Sequence, residues 1–537
     1  MNAQTVFGID VGTGSARAGL FEINGNRLAA YSHPIQMWRP RADFAEQSSE
    51  DIWRAIAICT RECLAQAQVN PADVAGISFD ATCSLVVVGE NGEGLPVNIE
   101  NDSQRDIIVW MDHRALGEAD EINAGNYQVL KYVGGKISPE MQTPKLLWLK
   151  RNLPDTWQKT AQFFDLPDYL TWRASGSLSR SHCTVVCKWT FLGHENRWDE
   201  NYFQSLGIED ALPRIGDQVQ AMGTKLGSLT PQAADDLGLT TNCIVGQGII
   251  DAHAGGLGIL GAVWQDGEIE LEKLETTLAL IGGTSNCHMA VSREAKFVEG
   301  VWGPYFGAMI PGLWLQEGGQ STAGAAIDFV IQDHAAYPEL KSDAEASSKT
   351  VYELLNAELL KMGDSPTLSR EFHVLPYFLG NRSPHADPHA RAIYDGVSLD
   401  SSRQNLAIRY LATVQAVAYG TRDIIETLNG NGYRIDSIIV TGGGIKNPLW
   451  LQEHADATGL TLILPKESEA VLLGSAVLAA TASGLYPDIY EAMQSMSKTG
   501  RMITPRSEFK PYHDAKFQIF KQMYQQQQEK RKMMSGF

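Results

Sequence analysis

The sequence predicts an α/β protein built from two related halves. Two glycine-rich turns between apolar strands carry this prediction, one at the start of the chain and one past its middle. The first lies in VFGIDVGTGSARAGLF (6–21), and the second lies in TTLALIGGTSNCHMAVS (276–292). Length is a third observation, because 537 residues exceed what one hydrophobic core usually organises. We therefore expect two domains, at residues 1–262 and 263–537.

The composition excludes several classes of function. A formal net charge of -19 would repel a phosphate backbone, so we expect no nucleic-acid partner. The first residues do not show the basic segment followed by an apolar segment that is typical of a secretory leader, and no apolar run approaches the ~20 residues of a membrane helix. We therefore expect a cytoplasmic protein without a membrane partner.

The seven cysteines do not suggest a disulfide framework. Cys59/Cys63 and Cys183/Cys187 have the spacing of a metal-binding pair on a helix, but no neighbouring His or Cys in the sequence completes a four-ligand set. We expect buried, reduced thiols.

The elements of the first half follow from its apolar pattern. TVFGID and ARAGLFEI read as strands joined by the first turn, and RLAAYSHPI can supply a third strand. SSEDIWRAIAICTRECLAQA predicts an amphipathic helix capped by Ser48 or Ser49. VAGISFDATCSLVVV then returns to strand.

The second half repeats this scheme after a charged stretch, DGEIELEKLE, that follows the boundary near residue 262. DSIIVTGGGIKNPLWLQEHADATGL predicts a strand, a glycine turn and a helix, on which the small-residue helix SEAVLLGSAVLAATASG could pack closely. The polar segment 333–369 predicts a helical insertion or lid. The tail predicts a terminal helix that frays into a charged end, and we assign it no function.

The first turn has the features of a phosphate site without being a P-loop, because no GxxxxGK string followed by Ser or Thr occurs. Its backbone amides could form a concave nest for phosphate oxygens, at Gly12, Thr13, Gly14 and Ser15. Asp10 would be repelled by phosphate but suits Mg²⁺, through water. Arg17 could bind the same phosphate or pair with a carboxylate.

Three further segments complete the predicted chemistry. The second turn, Gly282 to Ser285, offers Gly283 and Thr284 as another phosphate clamp but lacks the acid. Asp251 follows a strand and is either a general base or only a helix N-cap. A literal GxGxxG at Gly256, Gly258 and Gly261 falls inside the following helix, which disfavours dinucleotide binding. For a nucleotide base, TGGGIKN offers Gly443, Gly444 and Asn447.

These residues resemble the FGGY-type carbohydrate kinases of the actin, hexokinase and Hsp70 superfamily. The matching segments occur in family order: the turn at 10–17, WMDHR, PKLLWLKRN, GIIDAHAGGLG, GGTS, EGGQSTAG, PYFLGNRSP, VTGGGIKN and LLGSA. The resemblance implies two ribonuclease-H-like domains with ATP in the cleft between them. It also implies that the block around Asp251 supplies the base for a polyol or ketose hydroxyl.

The substrate segments look most like those of the D-ribulokinase branch. TCSLV is similar to that branch, whereas the glycerol kinase branch has Arg-Glu where this chain has Ala81 and Thr82, and the xylulokinase branch has His at the latter position. By the same resemblance Lys188 and Glu317 become ketose contacts, with Asp112 lining the pocket. The alternatives are a solvated strand residue for Lys188 and a helix cap for Glu317, and we favour the substrate contacts because the neighbouring residues match as well.

We therefore expect ATP- and Mg²⁺-dependent conversion of D-ribulose to D-ribulose 5-phosphate. L-ribulose, ribitol or another pentitol or ketose stays open as the acceptor, as does a sugar-responsive binding protein that does not turn over. The expected partners are the sugar and ATP, and the sequence leaves a homodimer open.

Overall fold

The computed structural model describes residues 4–264, 267–363 and 365–536. Its strands up to residue 250 are β1 Thr5–Val11, β2 Ser15–Glu22, β3 Arg27–Pro34, β4 Met37–Trp38, β5 Glu46–Gln47, β6 Val74–Ala81, β7 Leu85–Val88, β8 Ile107–Ile108, β9 Gln162–Asp165, β10 Arg180–Ser181, β11 Val219–Gln220, β12 Lys225–Ser228, β13 Ile244–Gly246 and β14 Ile249–Ile250. The later strands are β15 Thr277–Gly282, β16 Asn286–Ser292, β17 Trp302–Phe306, β18 Trp314–Gln320, β19 His373–Leu375, β20 Ile393–Asp395, β21 Ser437–Gly442, β22 Thr461–Pro465 and β23 Thr499–Ile503.

The helices interleave with these strands. In the first half they are α1 Ser49–Ala67, α2 Leu116–Ala124, α3 Gln142–Asn152, α4 Pro154–Lys159, α5 Leu166–Ser175, α6 His182–Lys188, α7 Glu200–Ser205, α8 Leu212–Ile215, α9 Pro231–Leu237 and α10 Asp251–Leu260. In the second half they are α11 Leu271–Thr276, α12 Gly324–Gln332, α13 Tyr337–Ser347, α14 Val351–Lys361, α15 Arg403–Gly430, α16 Pro448–Thr458, α17 Ala470–Ala482, α18 Ile489–Met496 and α19 Lys510–Met534. Within the described ranges, none of these helices combines the length and the hydropathy needed to cross a membrane.

Two seven-stranded sheets share one plan, which confirms the duplicated α/β architecture. In the first sheet β1 pairs antiparallel with β2, β2 with β3, and β1 parallel with β6. In the second sheet β15 pairs antiparallel with β16, β16 with β18, and β15 parallel with β21. Each predicted glycine-rich turn therefore joins the first two strands of its own sheet.

The first-half elements follow the sequence prediction, with one break. Ser48 is the N-cap of α1, and its hydroxyl accepts a hydrogen bond from the backbone N–H of Asp51. The segment 74–88 is not one strand: β6 lies in the first seven-stranded sheet, whereas β7 lies in a separate five-stranded sheet. The break falls at the polar Thr82 and Ser84, whose hydroxyls lie 3.1 Å apart.

The small-residue helix α17 does not pack mainly on the preceding strand, turn and helix, as the sequence suggested. It lies against β1 and β6 of the first sheet and against α10. A Cβ on Gly8 of β1 would lie 1.9 Å from the carbonyl oxygen of Leu472, so the absent side chain permits this approach. The second half thus covers one face of the first sheet, while α1 covers the other.

Helices α10 and α17 meet backbone to backbone through a reciprocal pair of glycines. A Cβ on Gly258 of α10 would lie 2.1 Å from the carbonyl oxygen of Ala470, and a Cβ on Gly474 of α17 would lie 1.9 Å from that of Ala254. Of the glycines in the literal GxGxxG string, Gly256 and Gly258 lie inside α10 as predicted, whereas Gly261 begins the 3₁₀ turn after it.

The described part of the segment 333–369, which leaves out residue 364, is mainly helical, as predicted: it contains α13, α14 and a short 3₁₀ turn at Pro366–Ser369. Leu340, Leu355 and Leu359 share a core cluster with α15, so the segment is packed on the second half. The tail forms the predicted helix, α19, but this helix continues through the charged residues 529–532 to Met534, where fraying was expected. Its Phe517, Phe520 and Met523 are buried.

Candidate active site

The first turn presents an open backbone surface between β1 and β2. The N–H of Gly12 donates to the carbonyl oxygen of Ser15 at 3.0 Å, so this predicted phosphate donor is already used within the turn. The side chains of Gln47 and Trp110 donate to the carbonyl and hydroxyl oxygens of Thr13 at 2.8 and 3.1 Å. No atom lies within 4 Å of the position of a Cβ on Gly14, which leaves space for a ligand.

Arg17 pairs with carboxylates, the second of the two roles open to it. Its Nε donates to Oδ2 of Asp10 at 2.6 Å, and its Nη1 donates to Oε2 of Glu469 at 2.9 Å. Glu469 directly precedes α17, so the guanidinium connects the first turn to the second half of the chain. A phosphate bound at this turn would therefore contact the guanidinium of Arg17, which already pairs with two carboxylates.

Three acidic residues converge where parallel strands of the first sheet end. Asp10 of β1 lies opposite Asp80 of β6, and Asp251 follows β14, which pairs with the end of β6. Burial, together with the charge of Asp10, raises the pKa of Asp80 well above its usual range, and the hydroxyl of Ser475 donates to its Oδ2 at 2.6 Å. Clustered carboxylate oxygens fit the ligand preference of Mg²⁺, whose charge would relieve their repulsion. Asp80 was not among the site residues predicted from the sequence, although its position at the end of a strand was a usable signal.

Asp251 is the first residue of α10 and is not its N-cap. The cap is Ile250, and Oδ1 of Asp251 accepts a hydrogen bond from the N–H of Ala252 at 2.8 Å. Burial and the nearby charge of Asp10 raise the pKa of Asp251 to about 6. The N-cap alternative is therefore wrong, while the role of general base stays a prediction.

Lys188 and Glu317 form a buried, oppositely charged pair. Lys188 ends α6 with 4% exposure, and its Nζ lies 4.7 Å from the ring centre of Trp302. Glu317 lies within β18 with 6% exposure. Burial alone would raise the pKa of Glu317, but the positive charge of Lys188 and a hydrogen bond from His253 outweigh it and lower that pKa to about 2. The alternatives of a solvated strand lysine and a helix-capping glutamate are both wrong.

His253 joins this pair to the helix that begins with Asp251. Its Nε2 lies 3.3 Å from Oε2 of Glu317, and its Nδ1 lies 3.1 Å from Sγ of Cys183. The imidazole is buried. His253 was not among the site residues predicted from the sequence, although it stands two residues after Asp251 in DAHAG.

The remaining predicted sugar contacts lie near the end of β6 and in the loop after β8. Ala81 and Thr82 are buried. Asp112 is fully buried, and its oxygens accept hydrogen bonds from the side chain of Arg114 at 2.7 and 2.8 Å and from the N–H of Ala45 at 2.6 Å. A sugar hydroxyl at Asp112 would therefore share an acceptor that protein donors already occupy.

The second turn is tied to the start of α12. The carbonyl oxygens of Gly283 and Thr284 accept from the N–H groups of Gly324 and Ala323 at 3.0 and 2.9 Å. The N–H of Gly283 donates to the carbonyl oxygen of Ser285 at 2.9 Å. These contacts fix the shape of the predicted clamp and use one of its donors.

The predicted nucleotide residues lie directly before α16. Gly443 and Gly444 open a short 3₁₀ turn, and no atom lies within 4 Å of a Cβ position on Gly443. Asn447 caps α16 by accepting from the N–H of Leu449 at 3.2 Å, and its Nδ2 donates to the hydroxyl of Tyr410 at 2.7 Å. A base at this site would meet open backbone at Gly443 and an amide that is held in place.

Comparison with known proteins gives a consistent result for both halves. Residues 5–258 match the N-terminal domain of the FGGY family of carbohydrate kinases, and residues 278–483 match its C-terminal domain. A human FGGY carbohydrate kinase domain-containing protein is 48% identical over 97% of this chain and 96% of its own. D-ribulokinase of Saccharomyces cerevisiae is 39% identical over 90% of this chain and 72% of its own. A xylulose kinase structure from Rhodospirillum rubrum superposes with a TM-score of 0.79 at 22% identity, covering 97% of this chain and 99% of that one, which supports the fold.

Proposed function

We propose that this chain, which belongs to the FGGY family of carbohydrate kinases, is a sugar kinase that phosphorylates D-ribulose to D-ribulose 5-phosphate. The similarity to D-ribulokinase of Saccharomyces cerevisiae is the observation that carries the choice of acceptor. The buried pair of Lys188 and Glu317 supports it, because an ammonium and a carboxylate can together donate to and accept from the hydroxyls and carbonyl of a ketose. ATP is the phosphoryl donor, as is general for this family.

In the proposed reaction Asp251 acts as the general base. The terminal hydroxyl oxygen of the ketose attacks the γ-phosphorus, and Asp251 accepts the hydroxyl proton as the new O–P bond forms. The bond between the γ-phosphorus and the β,γ-bridging oxygen breaks, ADP leaves, and Asp251 returns the proton to solvent. A pKa of about 6 leaves the carboxylate ionised at neutral pH with a raised proton affinity.

Charge stabilisation is assigned to the groups around the two turns. Mg²⁺ held near Asp10, with Asp80 beside it, would offset the charge on the phosphates. The open amides of the first turn, Arg17, and the turn at Gly283 and Thr284 would stabilise the transferring group. Arg17 would exchange part of its pairing with Asp10 and Glu469 for phosphate oxygens.

The test is ADP release at saturating MgATP, measured in parallel with D-ribulose, L-ribulose, D-xylulose, ribitol and glycerol. We expect kcat/KM for D-ribulose to exceed the others by about a hundredfold, which corresponds to about 2.7 kcal/mol of differential transition-state binding. A different ketose or a pentitol at the top of the ranking would leave the kinase assignment in place and refute the proposed acceptor.

Asp251→Asn tests the base separately from the acceptor. The variant should lose about 10²–10⁴-fold in kcat, since that is what a positioned general base contributes, while sugar and ATP still bind. Asp235→Asn, at an ionisable residue of α9, is the matched control and should turn over normally. Unchanged kcat in the Asp251 variant would refute the assignment of the base.

A further inference from the structure

Two thiols and one imidazole meet behind the proposed sugar pocket. Cys183 and Cys187 lie one turn apart on α6, and His253 lies on the adjacent α10. The two sulfurs and a ring nitrogen of His253 all lie within 4.8 Å of one another, and the three residues are buried. Sequence reasoning found the cysteine pair but not its third member, which is 70 positions from Cys183.

The imidazole is oriented as in a metal site. Nε2 of His253 lies 3.3 Å from Oε2 of Glu317, while Nδ1 faces Sγ of Cys183 at 3.1 Å. A carboxylate that accepts from one ring nitrogen leaves the lone pair of the other free for a cation, and metal-bound histidines almost always donate their other ring N–H to a carboxylate, a backbone carbonyl or a water. Glu317 therefore has the position of the group that orients a metal-bound histidine, and Nδ1 of His253 has the position of the metal ligand.

A second cysteine pair shows that helical spacing alone does not produce this arrangement. Cys59 and Cys63 have the same spacing on α1 and are also buried. Their sulfurs lie 3.4 and 3.3 Å from the carbonyl oxygens of Ala16 and Ala18, to which the thiols donate. This pair packs as neutral thiols against backbone, and it provides a natural control.

We propose that Cys183, Cys187 and His253 bind one thiophilic divalent cation of the Zn²⁺ class. Bonds of about 2.3 Å to sulfur and about 2.0 Å to nitrogen, at tetrahedral angles, place ligand atoms roughly 3.5–3.8 Å apart, so the observed cluster requires only small side-chain shifts. Binding releases the thiol protons to solvent, because the thiolate is the metal ligand. Three protein ligands leave one coordination position open.

The cation would connect two elements that carry proposed substrate and catalytic residues. Cys187 directly precedes Lys188 on α6, and His253 follows Asp251 by two residues on α10. A bound cation would crosslink these helices and hold Glu317 through His253. The site is defined by protein ligands alone, so it does not depend on which sugar is phosphorylated.

The first experiment uses the full-length protein, stripped with a chelator and titrated with Co²⁺ and then with Zn²⁺. We expect one equivalent of Co²⁺ to give sulfur-to-cobalt charge-transfer absorption, which Zn²⁺ abolishes by displacement. We also expect Zn²⁺ to raise the thermal midpoint. Absence of the charge-transfer band in the wild-type protein would overturn the proposal without reference to any variant.

Variants then locate the site. Cys187→Ala should remove the charge-transfer band. It should also weaken Zn²⁺ binding by more than about 10–100-fold, which is the cost of losing a group that only hydrogen-bonds to a ligand. Cys63→Ala should bind Zn²⁺ as the wild type does. Glu317→Gln should weaken binding by about 10–100-fold while keeping the band. Equal affinity in Cys187→Ala and Cys63→Ala would refute the proposed ligands. If Cys187→Ala does not fold, Cys183→Ser under the same titration replaces it.

Discussion

Replacement of Gly474 by alanine tests whether the contact between α10 and α17 holds the two halves in register. The new Cβ would lie 1.9 Å from the carbonyl oxygen of Ala254, about 1.5 Å inside the 3.4 Å at which ordinary contact begins. Backbone atoms cannot rotate away as a flexible side chain can, so the two helices must separate. Asp251 begins α10, so this separation also displaces the proposed base.

The expected loss of stability combines two opposing effects. Overpacking forces side-chain and backbone shifts that cost about 1–3 kcal/mol, and an overlap with backbone of this size belongs at the upper end, about 2–3 kcal/mol. Alanine gains about 1 kcal/mol over glycine in helix propensity. The net destabilisation should be about 1–2 kcal/mol, or roughly 2–8 °C in the thermal midpoint for a domain of 200–250 residues. Displacement of a catalytic group by 1 Å can cost about a hundredfold in rate, so kcat should fall as well.

Gly117→Ala is the matched control, because Gly117 also lies in a helix and nothing lies within 4 Å of its Cβ position. It avoids the clash, and as the second residue of α2 it gains at most the helix propensity of an interior position, so its thermal midpoint should rise by no more than about 2–4 °C and its kcat should not change. Thermal unfolding and ADP release are measured on the wild type, Gly474→Ala and Gly117→Ala. A Gly474→Ala midpoint at or above that of Gly117→Ala would refute the reasoning.

Three further substitutions probe separate parts of the site. Glu317→Gln should raise KM for the ketose at least tenfold while KM for MgATP stays within about twofold, since a hydrogen bond to a charged group is worth about 1.5–3 kcal/mol; equal effects on both would contradict a sugar contact. Asn447→Ala should have the opposite effect: KM for MgATP should rise while KM for the ketose stays unchanged. Isothermal titration with ADP then compares nucleotide binding by the variant and the wild type directly. Arg114→Met should destabilise the protein by about 3–5 kcal/mol, because Asp112 would lose its buried guanidinium partner and Glu46 would keep only Arg105; a midpoint close to that of the wild type would show that backbone donors such as the N–H of Ala45 are enough for Asp112.

The parts of the fold that the sequence predicted are local ones. Each glycine-rich turn and its flanking strands lie within about 20 residues, so alternating apolar residues and turn residues describe them completely. The position of α17, in contrast, depends on contacts between residues that are far apart in the sequence. Its Ser475 donates to Asp80 across 395 positions, and a small-residue helix carries no mark of which sheet it will cover.

The residues of the candidate site also fall into those that local sequence patterns indicate and those that they do not. Asp10 and Asp251 stand at ends of strands, where side chains of parallel strands meet, and the pattern of the chain alone singled them out. Lys188 and Glu317 were found through the family resemblance, because a lone lysine and a lone glutamate are not distinctive. His253 was missed because its contacts, Cys183 and Glu317, lie 70 and 64 positions away.

The placement of α17 has a consequence for how the protein is made. The first sheet has all its strands once β14 at Ile249–Ile250 is synthesised, but the helix that covers one of its faces is Ala470–Ala482. Translation proceeds at about 5–20 residues per second, so the nascent chain carries an uncovered apolar sheet face for roughly 10–45 seconds. The early half therefore exposes that face until α17 is made, and co-expression of residues 1–262 with the remainder of the chain should rescue solubility that residues 1–262 lack alone.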